Sequence, residues 1–384
     1  MATSYKAYGS FSNLFMPLTE LRLARYRRSY SKLYEVFDTV DFELCRPYIT
    51  TIVNDYLHPK NALGKPRCLS NRGRPGVDPV LMFQICFIQW SLKKTDDEME
   101  NLLNTDLALR CLLDFELDCL VCRAPDAKTI WKYREIFIKS GLFEKFNTGI
   151  MNFLSTLPEV VNDAARSIDS SFALMKVQHN TKEENDIIKA GKGDILWQDQ
   201  PNKKRQKDTF ARWTKKGGIN FFGYKLHAKI AVGTKLILAA VITPANVHDS
   251  QVIAPLLNSS DAGKVLYADS GYCGELQELI VRRFQMTPCF CMRAYRGKKL
   301  TEEQKRENCR RSSIRCRVEH PFAFIEKSMG AANLRSVGLD RATGLQHLTV
   351  LVYNLHRYCQ LNRGRAEMRI TSRLTCRGEV PQRE

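Results

Sequence analysis

The sequence predicts an all-helical region over residues 1 to about 160 followed by a mixed α/β region over 161 to 362. Up to about residue 137, apolar residues recur in steps of three and four behind capping residues, the pattern of amphipathic helices. From residue 165 the apolar runs shorten to strand length and alternate with helical segments. The composition, 44% hydrophobic over 384 residues, allows a large buried core and excludes a mainly disordered polymer.

Residues 18 to 37, "LTELRLARYRRSYSKLYEVF", place apolar side chains at 23, 26, 30, 33 and 37, which predicts a helix. Arg22, Arg25, Arg28 and Lys32 form a separate basic stripe, either a solvated face or a set of phosphate contacts. In "RGRPGVDPVLMFQICFIQWSL" (72 to 92), Asp78 suits an N-cap and Pro79 the first helical position. "TDDE" (95 to 98) reads as a capping box, and "PDAKTIWKYREIF" (125 to 137) as the start of a third helix. Short helices of this kind suit a helix-turn-helix DNA reader, and equally helix packing with no DNA contact; no recognition helix stands out.

The α/β region holds five strand runs, "ARSIDSSFALMKV", "GYKLHAKIAV", "KLILAAVITP", "KVLYAD" and "TPCFCMRA", with helical segments near 249 to 257 and 274 to 284. Three runs followed by alternating helix and strand predict a mixed sheet. Between the first two runs lies a polar insertion, 178 to 218. Seven of the 14 residues from Lys203 to Lys216 are basic: Lys203, Lys204, Arg205, Lys207, Arg212, Lys215 and Lys216. With Phe210 and Trp213 among them, the insertion suits backbone contact and base stacking, and it also suits a disordered charged loop. The stretch from 363 to 384 is basic and poor in apolar residues, which predicts a mobile tail.

With 59 Lys plus Arg against 41 Asp plus Glu, the formal net charge is 59 − 41 = +18. That favours a polyanionic partner, nucleic acid ahead of a membrane surface. The apolar run "VLMFQICFIQW" carries two Gln and is too short to span a bilayer, and "MATSYKAYGSFSNLF" lacks a signal-peptide core. An intracellular protein without membrane association is the expectation. Thirteen scattered cysteines fit reduced thiols, and Cys119 and Cys122 lack a second pair with zinc spacing.

Asp269 ends the run "VLYAD" and precedes Ser-Gly-Tyr, a setting that suits a turn or a metal ligand aimed from a strand end. Asp169 lies inside the first strand run. A carboxylate buried in an apolar strand needs a partner or a metal. Arg315 and Glu319 stand four apart and share a helix face, as an ordinary ion pair also does.

These pieces together resemble the bacterial insertion-sequence DDE transposases, in the group named for a Tyr-x2-Arg-x3-Glu-x6-Lys signature. "SIDSS" resembles the segment of the first Asp, "VLYADSGYCG" the second, and "SIRCRVEHPFAFIEK" the block with the third acid; "KKGGINFFGYKLH" (215 to 227) and "TPANVHDS" (243 to 250) support them. The resemblance implies a ribonuclease-H-like fold in which Asp169, Asp269 and Glu319 are catalytic and hold two ions, Mg²⁺ or Mn²⁺. It implies binding of the element's terminal inverted repeats and of target DNA, a homodimer or larger synaptic assembly, and a bacterial cytoplasmic, nucleoid-associated protein. Arg315 and Lys327 would face DNA, with Lys203, Lys204, Arg205, Arg212, Trp213, Lys215, Lys216 and Lys225 as further contacts.

Two positions depart from the signature: Ser312 stands where the family has Tyr, and Glu326 where it has Lys. If one helix ran unbroken from about 312 to 328, Arg315, Glu319 and Glu326 would share a face, and either Lys327 would serve or the copy would be impaired. His248 and Asp249 read as outer residues of the site or as a helix cap. Tyr224, Lys225 and His227 resemble the family's strand motif, although alternation along a strand need not put Lys225 with the other two. A nuclease without strand transfer and a DNA-binding decayed copy are the competing readings.

Overall fold

The computed structural model describes residues 25, 27–57, 76–115, 123–295, 297 and 299–363. Residues 18 to 24, the Cys119 and Cys122 pair, and the tail beyond Arg363 lie outside them. The chain divides into two compact units, Met1–Gly149 with Leu355–Glu384, and Ile150–Asn354.

The first unit is helical. Pro79–Leu92 begins as the sequence predicts, with the Asp78 carboxylate accepting from Val80 N–H. Its side chains from Pro79 to Met82 and many beyond are buried. Phe83 packs against Phe137, Phe143 and Phe146 at centroid distances of 6.0, 5.9 and 4.8 Å. The Thr95–Glu98 capping box opens Asp96–Thr105, and Asp126 caps Ala127–Lys139. The helix expected over 18 to 37 is interrupted: Tyr30 leaves the helical region at φ −127°, and Ser31–Thr39 starts anew. The Tyr30 hydroxyl donates to Asp106 (2.6 Å), a long-range bond that holds the break in place. Periodicity alone does not register such a bond.

The second unit is built on a seven-stranded mixed sheet: β1 (Ala165–Met175), β2 (Arg212–Lys216), β3 (Ile219–Ala231), β4 (Ile237–Pro244), β5 (Val265–Ala268), β6 (Thr287–Phe290) and β7 (Asn333–Leu334). β3 lies antiparallel to β1 and β4, while β5 and β6 run parallel to β1 and to each other. The order β4-β3-β1-β5-β6 is ribonuclease-H-like, with β2 and β7 as additions. At Gly223, where β3 passes from pairing β2 to pairing β4, φ is +146°. A Cβ there would lie 2.4 Å from the Ala173 carbonyl oxygen, so glycine alone fits. At the start of β1 the buried Asp261 accepts from Arg166 (3.2 Å) and Lys229 (2.5 Å), pairing three charges that would otherwise be stranded in the interior.

The insertion is folded, which corrects the disordered-loop alternative. Thr181 and Glu184 form a capping box on Lys182–Lys189, Pro201–Gln206 follows, and β2 joins the sheet. Buried Asp208 anchors it by accepting from Tyr224 (2.9 Å), from the Phe210 and Ala211 N–H groups, and from Gly338 N–H (2.8 Å). One carboxylate thus ties the insertion to β3 and to the last helix, Leu339–Asn362.

Candidate active site

β1 is paired along one side by β3, but its other side is covered only at the ends, by β5 at Ala165–Ser167 and by β7 at Leu174–Met175. Asp169 lies in the gap between them. Asp269 immediately follows β5, caps the turn Ser270–Tyr272 and accepts from Gly271 N–H (2.8 Å). The parallel register pairs Ser167 with Tyr267, so two residues further along both chains Asp169 is level with Asp269 on strands about 4.8 Å apart. The strand ends at Asp269 because its side chain bonds back to the turn, and the turn leaves the carboxylate at the open gap.

The helix Glu302–Arg315 ends against this gap, where the Ser167 hydroxyl donates to the Arg315 carbonyl (3.1 Å). The Arg315 guanidinium donates to Asp169 Oδ2 (2.8 Å) and Glu319 Oε1 (2.9 Å), bridging the first acid to the third. Burial pushes the Asp169 carboxyl up to about 6, and repulsion from Asp269 adds to it, against the Ser170 N–H, Arg315 and Lys216. Glu319 differs in setting: its side chain is 61% exposed, against 18% for Asp169. Among the described residues no three His, Cys, Asp or Glu side chains converge closely enough to hold an ion as they stand.

Residues 169–355 match the family model described as a transposase DDE domain, and residues 26–135 match a second, described as a transposase domain. A curated relative, the transposase for insertion sequence element IS1106 from Neisseria meningitidis serogroup B, is 33% identical over 164 residues, 42% of this chain and 55% of the relative. The chain belongs to the insertion-sequence DDE transposases. It spans about half the length of that relative, and no solved structure gives a significant match.

Transposase DDE domains generally use divalent metal. The two aspartates fit such a group: a level pair of carboxylates that repel each other, one of them buried and already pushed toward its neutral form, is what a cation between them would relieve. Glu319 is joined to the pair through Arg315 and stands outside it.

Behind Asp169 the chain carries a buried polar network that the sequence only hinted at. Lys225 donates to Asp249 (2.9 Å) and to the Val247 carbonyl (2.9 Å), and its charge beside Asp249 helps hold that carboxyl below the usual carboxylate range against the effect of burial. His248 caps the turn Asp249–Val252, so only half of the expected cap is real, and Asp249 is instead Lys225's partner. Lys225 shares its strand face with His227, whose Nδ1 is 3.8 Å from Asp249, while Tyr224 points the other way to Asp208. That corrects the expected grouping, in which Lys225 was the one set apart. Burial outweighs the pull of Asp249 and pushes the His227 imidazole down to about 4, so it is neutral at pH 7.

The Tyr272 hydroxyl is buried with no hydrogen-bond partner. Burial first, then the Asp249, Asp169 and Asp269 charges, push it well above the usual phenol range, so it stays a proton donor facing carboxylates. The "HDS" and "SGY" neighbours of the motifs were the available signal.

The expected DNA contacts separate into three groups. Lys203 donates to Glu184 (2.7 Å), Lys204 to the Asp194 carbonyl (2.8 Å) and Arg212 to the Thr209, Ala211 and Ile188 carbonyls, so these hold the insertion together. Arg205, Trp213 and Lys215 are exposed. Lys216 and Lys225 both lie over the Phe172 ring, 5.8 Å from its centroid, and Lys216 acts electrostatically on Asp169.

The segment after Arg315 is not one unbroken helix. A 3₁₀ turn at Cys316–Val318 precedes the short helix Glu319–Ala323, and Phe324–Ser328 forms a π-helical turn. Ser312, at the signature's Tyr position, instead lies 3.6 Å from Cys291 Sγ. A π turn holds about one residue more than an α turn, so the position sharing Glu319's face moves from seven residues on to about eight. That carries Lys327 toward the face and Glu326 away from it.

Proposed function

We propose that this protein is a transposase that binds the terminal inverted repeats of its own element, cleaves at the element ends and joins the 3′ ends to target DNA. The observation that carries this reading is the level pairing of Asp169 with Asp269 at the gap in the sheet, with Arg315 linking Asp169 to Glu319. These three acids would hold two divalent ions, Mg²⁺ or Mn²⁺. Bound there, the ions would lower the pKa of an attacking hydroxyl and stabilise the leaving oxygen.

The remaining chemistry belongs to the chain. Arg315, Lys216 and Lys225 bring positive charge to the gap and offset that of the scissile phosphate. Tyr272, buried beside the carboxylates with its hydroxyl unpartnered, would be available as a hydrogen-bond donor to them when charge shifts in the site. Arg315 donates to both Asp169 and Glu319 and so holds the third acid beside the pair, and its guanidinium would be available to the DNA backbone once the acids had another counter-charge. Residues 1–160 would recognise DNA, 161–362 would do chemistry, and 363–384 would form a basic tail. Joining two ends calls for a homodimer or larger assembly acting at the bacterial nucleoid. Among the described residues no helix is long and apolar enough to cross a membrane.

The test is an oligonucleotide assay with the element's own end. Mg²⁺-dependent nicking at the end, followed by covalent joining of a pre-cut end to plasmid DNA, is the expected result. Nicking without joining would favour a nuclease, and specific binding with neither would favour a non-catalytic descendant.

A further inference from the structure

The proposed function leaves open which element reads the DNA. We infer that the helix Ala127–Lys139 is the recognition helix, entering the major groove of the terminal repeat with Lys128, Trp131 and Lys132. This rests on the reading of the protein as an end-binding transposase.

The inference comes from how the first unit sorts its exposed charges. The exposed side chains of this helix are Lys128, Trp131, Lys132 and Lys139, while its one acid, Glu135, is buried. Every neighbouring helix of comparable length with a solvent face exposes an acid: Asp38 on Ser31–Thr39, Asp55 on Arg46–Leu57, Asp97 and Glu98 on Asp96–Thr105, and Glu144 on Leu142–Ser155. Pro79–Leu92 has no exposed residue. A single helix therefore presents a surface of cations and an aromatic ring, complementary to a polyanion with apolar groups between its phosphates.

Trp131 is 51% exposed, whereas Phe137 of the same helix packs against Phe83 and Phe143 in the core of the unit. Lys128, Trp131 and Lys132 lie three and four residues apart, on one face of the helix's N-terminal half. The C-terminal half is the anchor. Residues Glu135 to Ile138 are buried, Arg134 pairs with Asp96, and the Tyr133 hydroxyl donates to the Val77 carbonyl (2.6 Å). A helix anchored through its C-terminal half and Ile130, with Lys128, Trp131 and Lys132 outward on one face of its N-terminal half, offers the geometry in which a recognition helix reaches base edges. A helix 10 to 12 Å across fits a major groove about 12 Å wide.

The amide groups at the helix start are already engaged, Ala127 N–H by Glu100 (2.8 Å) and Thr129 N–H by Asp126 (2.7 Å). Contact with DNA therefore falls to the side chains and not to the helix end. The lysines suit phosphates or guanine edges, and the indole suits a thymine methyl group.

Fluorescence anisotropy of the full-length protein with a duplex of the element end, and with a scrambled duplex of equal length, tests this. Trp131→Ala should lower affinity for the end about ten-fold while leaving the scrambled duplex nearly unchanged. Lys128→Ala with Lys132→Ala should weaken both and reduce the salt slope by about two. Circular dichroism should show all variants folded, because none of the three side chains is buried. A Trp131→Ala protein that keeps its preference for the end overturns the inference alone. If that variant instead changes the oligomeric state in light scattering and keeps its preference, the face joins copies of the chain, which also overturns it. A wild-type protein with no preference for its end removes the end-binding reading itself.

Discussion

The strand-borne and helix-borne acids of this chain are held in different ways. Asp169 sits on β1 and Asp269 directly after the neighbouring β5 of the same sheet, fixed by register and by bonds from Ser170 and Gly271 N–H groups. Glu319 starts a short helix between a 3₁₀ turn and a π turn, and its side chain is largely in solvent with Arg315 as its hydrogen-bond donor. The sheet prepays the cost of bringing two like charges together, whereas the helix leaves the third acid to be recruited. Preorganisation of the pair and mobility of the third group should therefore be separable by experiment.

The largest effect is on cleavage. If the three acids hold the ions as proposed, Asp169→Ala, Asp269→Ala and Glu319→Ala should each reduce end nicking by about 10³-fold or more, with repeat binding largely kept, since each would remove a metal ligand and not a phosphate contact. The comparison is sharpened by Mn²⁺ binding to the free protein, measured calorimetrically. Loss of binding is expected for either aspartate variant, and a change of less than about ten-fold for Glu319→Ala. If Glu319→Ala abolished binding without DNA, the third acid would be as preorganised as the pair, and the contrast would fail.

Arg315 comes next, because it touches both classes of acid. Arg315→Ala leaves Asp169 buried with one charge partner fewer and releases Glu319, so nicking should fall by roughly 10- to 100-fold, the usual range for a residue that orients ligands. Arg315→Lys should recover only part of this, as an ammonium cannot replace the planar fork that spans two carboxylates. Full activity in Arg315→Lys would show that charge alone matters there.

Much of this was legible in the sequence because it depends on local chemistry. Asp78, Thr95 and Asp126 announced their helices as N-caps, and strand-length apolar runs located β1, β3, β4, β5 and β6. Long-range bonds were not legible. Nothing near residue 208 signals that its carboxylate will be buried against Tyr224 and Gly338, and so a folded insertion resembled a charged loop. The Lys225–Asp249 pair depends on β3 meeting a turn 24 residues later, and the π turn at Phe324–Ser328 leaves no mark in apolar spacing.

A smaller effect concerns stability. Because the folded Asp169 carboxyl is raised to about 6, above its unfolded value of about 3.9, the folded state holds the proton more tightly. The sign is the reverse of the usual carboxylate case: metal-free stability is fully present below about pH 4 and falls by up to about 3 kcal/mol as pH rises through 6. Asp169→Asn should accordingly raise the melting temperature of the metal-free protein at pH 7, with the gain vanishing near pH 4, even though it destroys cleavage. Equal melting temperatures at pH 7 would mean that Asp169 is not strained in its ionised form.

The smallest expected effect lies where the helix-borne group is least regular. With an unbroken α-helix, Glu326 would share the face of Glu319 and repel the DNA, and Glu326→Lys would raise the nicking rate. The π turn at Phe324–Ser328 shifts that register by about one residue, which carries Lys327 toward the face that the signature gives to its Lys. Lys327→Ala should then slow initial nicking several-fold while Glu326→Lys does little, both measured on the same end substrate. Deleting one residue within 324 to 328 would restore α-helical register and exchange the roles of the two side chains. A rate that rises in Glu326→Lys and is unmoved in Lys327→Ala would mean that the α register operates when DNA is bound, and that the π turn belongs to the free protein alone.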